Sequence, residues 1–136
     1  MKIDISKEWL KASMDDLKLI SKIIDLADLS HMVAFHAQQS VEKSLKALIE
    51  YKQLKVPRQH DLLKLQEMTR EYLKLNNDDL LDTLNEIYIN SRYPSEFGLL
   101  PCGKPTLEDA KEFYDFAIMV FDKVCDLLGV NKESLK

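Results

Sequence analysis

Apolar residues recur at intervals of three and four positions along most of this chain, and the pattern predicts five helices and no strand. The first helix follows a capping residue, Ser6, and is predicted to end near Ala27 or Asp28. The second helix is predicted to run from about Ser30 to Tyr51. Both lengths are typical of helices that pack along a common core.

Turn and capping residues set the bounds of the next two helices. Pro57 disfavours helix at the residue before it, which places a loop after the second helix. Asp61 is a good N-cap for a third helix, and Asn77 is a good N-cap for a fourth. Pro94 is predicted to stop the fourth helix close to Arg92.

A long loop, residues 93–105, precedes the last helix. Loops of this length are uncommon in compact bundles and are often functional. Thr106 and Asp109 have the spacing of a capping box, which opens the last helix, and Gly129 fits its C-terminal end. Five amphipathic helices with mostly short connections predict an all-α protein. We expect an up-and-down bundle of five helices with a four-helix-bundle-like core.

Length and composition fit one soluble domain. The 136 residues are enough for a single core, and we expect one domain over residues 1–136 with its core at about 6–128. No apolar run is long enough to span a bilayer, and the N-terminus lacks the apolar segment of a signal peptide, so we predict a cytoplasmic protein without membrane contact. The net charge of −4 argues against a general nucleic-acid binder.

Two isolated cysteines, Cys102 and Cys125, have no CxxC spacing and no nearby histidine in the sequence. This pattern predicts neither a metal site nor a structural disulfide, and we expect no cofactor. Cys125 lies on the apolar face of the last helix, where a free thiol usually serves as core packing.

The second helix carries a polar stripe beside its apolar one. The stripe residues recur three and four positions apart, so their side chains can converge on one ligand or one partner surface. The alternative is an ordinary solvated face, which most helical charge stripes are. The stripe consists of His36, Gln39, Lys43, Lys46 and Glu50.

Several short segments, in this order and spacing, resemble the HEPN domain family of small helical bundles. The resemblance spans about residues 9–128 and implies a helical bundle that often forms homodimers. The matching residues are Trp9, Ala12, 16–17, 35–39, 42–43, 46–48, 60–62 and 92–94.

Many HEPN domains are metal-independent ribonucleases, marked by an Arg followed four to six residues later by His. In that pair a His acts as general acid or base and an Arg stabilises the charged phosphorane. No His follows position 60 here, so the motif is absent and we assign no catalytic residue. A ribonuclease or toxin, as in toxin–antitoxin-like pairs, with Arg92 beside a distant His36 or His60 remains the alternative. The enzyme question is open, leaning to no.

The resemblance also implies nucleotide or polyanion binding, with ATP, GTP or RNA as ligand, and association with a nucleotidyltransferase-type partner. Positive charge for phosphate would come from Lys43, Lys46 and Arg92. Polar contacts would come from His36, Gln39 and His60, while Tyr93 would stack on a base. These seven residues are the predicted ligand site.

Each assignment has a structural alternative. His36 is equally compatible with a buried structural histidine, and Arg92 with an ion pair to Glu42. The glutamines Gln38 and Gln39 are equally able to tie helices together. A third reading of the whole chain is a purely structural adaptor.

Overall fold

The computed structural model describes residues 2–58, 60–91 and 105–136, and over these ranges the chain forms five α-helices and no strand. The all-α bundle predicted from the sequence is confirmed. Two of the predicted site residues, Arg92 and Tyr93, lie outside the described residues, as do Cys102 and residues 93–104 of the predicted loop. The helices are α1 (Lys2–Ile23), α2 (Ser30–Tyr51), α3 (Leu62–Thr69), α4 (Asp78–Ser91) and α5 (Leu107–Leu128), with 3-10 turns at Ala27–Leu29 and Lys132–Leu135.

The predicted caps are present at α3 and at both ends of α5. The Asp61 carboxylate accepts the backbone N–H groups of Leu63 and Lys64 in the first turn of α3. At α5 the Thr106 hydroxyl and the Asp109 side chain form the reciprocal bonds of a capping box. Gly129 ends α5 at a φ of 68°, a left-handed conformation that glycine adopts without strain.

The first helix differs from its predicted bounds. It begins at Lys2, so Ser6 is a buried residue inside the helix and not its cap. It ends at Ile23, because Leu26 has an extended backbone and the chain then continues in the 3-10 turn Ala27–Leu29. Serine is a frequent cap, but a serine inside a helix also suits a close contact with a neighbouring helix, and local sequence does not separate the two.

The apolar spacing of Leu62, Leu65, Met68 and Tyr72 predicts a third helix that reaches Tyr72, but α3 ends at Thr69. The Gln66 side chain donates to the Leu73 carbonyl and accepts the Leu75 N–H, which draws the chain back across the helix end. These buried bonds replace the next helical turn.

Helix α2 is the centre of the bundle, with α1 and α5 along its length and α3 and α4 against it. Fourteen of its 22 residues are buried, so polar side chains on this helix face protein as well as water. At the α1 contact the Ser13 hydroxyl lies 2.7 Å from Ser40 Oγ and 2.8 Å from Ser44 Oγ, which brings the two backbones close. The interior position of α2 explains the environment of the candidate site.

Cys125 is fully buried on α5, which confirms the core-packing interpretation of this residue. Burial raises the pKa of its thiol to about 11, so the neutral thiol is favoured. Within the described ranges, no helix is long and apolar enough to cross a membrane.

Candidate functional site

A buried carboxylate, Glu42, organises one half of the candidate site. Its Oε2 accepts a hydrogen bond from Lys46 Nζ at 2.9 Å, and its Oε1 accepts one from Gln38 Nε2 at 2.9 Å. His60 Nδ1 lies 2.9 Å from Oε2 and 3.0 Å from Oε1. Helical spacing of four residues aligns Gln38, Glu42 and Lys46 on α2, while His60 comes from the segment before α3. Burial of this charge is tolerated because Lys46, Gln38 and His60 all contact the carboxylate within hydrogen-bond distance.

A second carboxylate, Asp16 on α1, repeats the arrangement. Its Oδ1 lies 2.9 Å from His36 Nδ1, and its Oδ2 accepts a hydrogen bond from Lys43 Nζ at 2.8 Å. Asp16 is nearly buried between α1 and α2. We call Asp16, His36 and Lys43 the Asp16 triad, and Glu42, Lys46 and His60 the Glu42 triad. In each triad one carboxylate is shared by a lysine and a histidine.

The shared carboxylates fix the orientation of both imidazoles. An ionised carboxylate only accepts hydrogen bonds, so Nδ1 of each histidine carries the proton. The second nitrogen, Nε2, is then the one available to a ligand or a reacting group. The Gln39 amide adds a bond of 2.7 Å to Gln38 Oε1, which extends the polar network along α2.

A row of aromatic rings connects the two triads. His60 and Tyr88 have ring centroids 4.6 Å apart, and Tyr88 stacks on Phe35 at 6.2 Å with an interplanar angle of 10°. Phe35 in turn meets the edge of His36 at 5.2 Å. The row therefore runs from one histidine to the other across α2 and α4. Beside it, Trp9 lies 5.5 Å from Lys46 Nζ, within range of a cation–π contact.

A cavity of about 530 Å³ opens at the His60 end of the aromatic row. Its walls combine the two rings of His60 and Tyr88 with polar side chains of α4 and the segment before α3. The polar lining residues are Asp61, Asp82, Asn85 and Glu86. This volume lies within the range of small-molecule sites.

The chain matches the HEPN domain family over residues 6–128. It belongs to that family. No curated protein and no solved structure gives a match. At the level of the family, the chain is a nucleotide-binding or ribonuclease-type module, because HEPN domains bind nucleic acids. Domains of this family also often dimerise.

In this HEPN domain, five of the seven predicted site residues lie in two hydrogen-bonded clusters that the row of rings connects. His36 and Lys43 belong to the Asp16 triad, Lys46 and His60 to the Glu42 triad, and Gln39 joins through Gln38. Arg92 and Tyr93 fall outside the described residues. The assignment of all seven residues to a ligand site stays a prediction.

For Lys46 the solvated-face alternative is wrong. Lys46 is not on a solvated face, because its side chain is buried against Glu42 and beneath Trp9. The ion pair of Lys46 with Glu42 offsets the charge that was expected to meet phosphate. Lys43 is also paired, but it keeps more contact with solvent.

Sequence reasoning did not assign the carboxylates Asp16 and Glu42 or the ring of Tyr88 to the site. Glu42 and Lys46 are four residues apart on one helix, and that spacing was a readable signal of an ion pair. Asp16 and Lys43 are 27 residues apart, so only the packing of α1 on α2 brings them together. Over residues 2–58, 60–91 and 105–136, no group of three or more His, Cys, Asp or Glu side chains is placed to hold a metal ion.

Proposed function

We propose that this HEPN domain is a nucleotide-binding module that is not catalytic alone and works with a nucleotidyltransferase-type partner. The observation that supports it most is the row of rings from His36 to His60, flanked by the two triads. Aromatic faces stack on nucleobases, and nitrogen donors bind phosphate oxygens. The unit is one domain over residues 1–136, with its core at about 6–128, and it acts as a homodimer.

The base is proposed to occupy the cavity beside His60 and Tyr88. A ring inserted there would stack on one of the two aromatic side chains. Carboxylates of Asp82 and Glu86 would accept hydrogen bonds from the amino groups of the base. These contacts suit a purine nucleotide such as ATP or GTP.

The phosphates are proposed to contact the more exposed donors of the network. Lys43 has two further N–H donors besides the one that Asp16 accepts, and His36, held by Asp16 through Nδ1, is proposed to donate from Nε2 in its imidazolium form. Lys46 contributes indirectly, because it holds Glu42 and so the orientation of His60. Arg92 is proposed as the remaining cation.

A thermal-shift titration with ATP, GTP and a short RNA tests this proposal. A ligand that binds only the folded state raises the melting temperature in a saturable way. We expect that rise to weaken in Lys43→Ala and Arg92→Ala, and to persist in the control Lys123→Ala on the exposed side of α5. The absence of a shift with every ligand would instead favour the structural adaptor.

A ribonuclease with a non-standard site is the second candidate, and the His60–Glu42 pair favours it. A histidine oriented through Nδ1 by a carboxylate presents Nε2 as a general base, as in catalytic dyads. This candidate predicts RNA cleavage that is lost in His60→Gln and retained in His31→Gln. Intact RNA after long incubation with the pure protein, alone and with its partner, contradicts it.

A further inference from the structure

An apolar line with two exposed members follows helix α1 beside its contact with α2. Ile5 and Leu19 are 47% and 42% exposed, and Ala12 lies midway between them. A spacing of seven residues keeps all three on one face of the helix. Two large apolar side chains at this spacing form a narrow seam suited to a second helix.

The charged residues beside this seam are arranged symmetrically about the middle of the helix, with opposite signs on the two sides. Six exposed charged side chains occupy one flank of α1, and each has a partner of opposite sign at the same distance on the other side of Ser13. The helix axis rises 1.5 Å per residue, so the apolar seam, centred on Ala12, and the charge pattern, centred on Ser13, nearly coincide. The pairs are Asp4 with Lys22, Glu8 with Lys18, and Lys11 with Asp15.

When a second copy of α1 runs in the opposite direction, each of these charges meets a charge of opposite sign. We propose that α1 is the dimer face of this HEPN domain and that it packs antiparallel on α1 of a second copy. The twofold axis then passes near Ala12, and Glu8 of one protomer faces Lys18 of its partner. A twofold axis sets this charged flank against the same flank of the partner only when the two helices run antiparallel, so the charge pattern fits the antiparallel arrangement.

The rest of α1 supports this role. The buried side of the helix is held by Leu10 and Ile20 and by the hydroxyl contacts of Ser13 with α2. The exposed face is therefore presented on a rigid element. Ala12 is small, and a small side chain at the crossing point lets two helices approach closely.

Charge exchange between variants tests the pairing. We compare the wild type, Glu8→Lys and Lys18→Glu by sedimentation velocity over a range of concentrations. Each single variant places like charges opposite each other twice per dimer, so we expect the dimer dissociation constant to rise tenfold or more. An equimolar mixture of the two variants restores opposite charges at both positions, so we expect heterodimers of near wild-type affinity. Circular dichroism shows whether each variant remains folded.

The matched controls are Glu112→Lys and Lys123→Glu, which make the same charge changes at exposed positions of α5. We expect both to dimerise like the wild type. A monomeric wild type overturns the inference, and so does an unchanged dimer in Glu8→Lys and Lys18→Glu, which would place the interface elsewhere.

This inference rests on the homodimer named in the proposed function, but the two fail separately. Nucleotide-dependent thermal shifts are measured on the same proteins. A wild-type dimer that the charge variants break but that shows no nucleotide shift contradicts nucleotide binding and leaves the α1 interface in place. A nucleotide shift in a protein that stays monomeric contradicts the homodimer and its interface and leaves nucleotide binding in place.

Discussion

The two triads use the same three kinds of group in opposite ways. In the Glu42 triad the lysine side chain is 6% exposed and the histidine 39% exposed. In the Asp16 triad the lysine is 26% exposed and the histidine 19% exposed. The Glu42 triad therefore buries its lysine and exposes its imidazole, whereas the Asp16 triad leaves more of its lysine in contact with water.

This difference separates a structural lysine from a ligand candidate. Lys46 and Glu42 form a buried pair in which each group needs the other, since an unpaired charge in the interior is costly. Lys43 shares Asp16 with His36 and retains a route to solvent. Two lysines that look equivalent on a helical wheel are thus expected to respond differently to the same substitution.

The largest expected effect is the loss of the Glu42 carboxylate. Glu42→Ala leaves Lys46 buried without its ion-pair partner and removes the acceptor of Gln38 and His60. We expect a loss of about 3–5 kcal/mol in the free energy of unfolding, the range for breaking a buried pair. Urea denaturation measures it. Glu42→Gln keeps the side-chain size and serves as the control, and a loss under 1 kcal/mol in Glu42→Ala would falsify the structural role.

Loss of the other carboxylate is expected to cost less. Asp16→Ala removes two hydrogen bonds to a charged acceptor, but Lys43 and His36 both reach water afterwards. We expect a loss of about 2 kcal/mol in the same urea experiment. Equal losses for Asp16→Ala and Glu42→Ala would mean that the two triads do not differ in the way their burial indicates.

Local signals explain why the bundle was predictable. Helix α2 was predicted from Ser30 to Tyr51, and the caps at Asp61 and Thr106 were read from sequence, because periodicity and capping involve neighbouring residues. The start of α1 was missed because serine is a residue type that often caps helices, whereas Ser6 is buried inside α1.

The triads were only partly predictable, because several of their contacts join residues that are far apart in the sequence. A charged stripe on a helix is usually solvated, and nothing local to Lys46 indicates that the Trp9 ring lies over it. Asp16 meets Lys43 only after α1 packs on α2. Sequence therefore identified most of the residues in the network but not the partners that neutralise them.

A pair of lysine substitutions sharpens the comparison. Lys46→Ala leaves Glu42 buried with a single remaining charged partner candidate, His60, so we expect it to destabilise the fold by about 3 kcal/mol. Lys43→Ala removes a partly exposed pair, and we expect a loss of about 1 kcal/mol or less. Urea melts of the two variants measure both losses. The opposite order would assign the structural role to Lys43 and return Lys46 to the list of ligand candidates.

The smallest stability effect is expected at His60. Its side chain is the most exposed member of either triad, and Glu42 keeps Lys46 and Gln38 when the imidazole is lost. We expect His60→Gln to lower the free energy of unfolding by about 0.5 kcal/mol, as for an exposed ion pair. Its effect on the thermal shift with ATP or GTP should be much larger, because the ring beside Tyr88 would be gone. If His60→Gln binds nucleotide as the wild type does, the base does not stack at this end of the row. Phe35 and His36 are then the remaining rings to test.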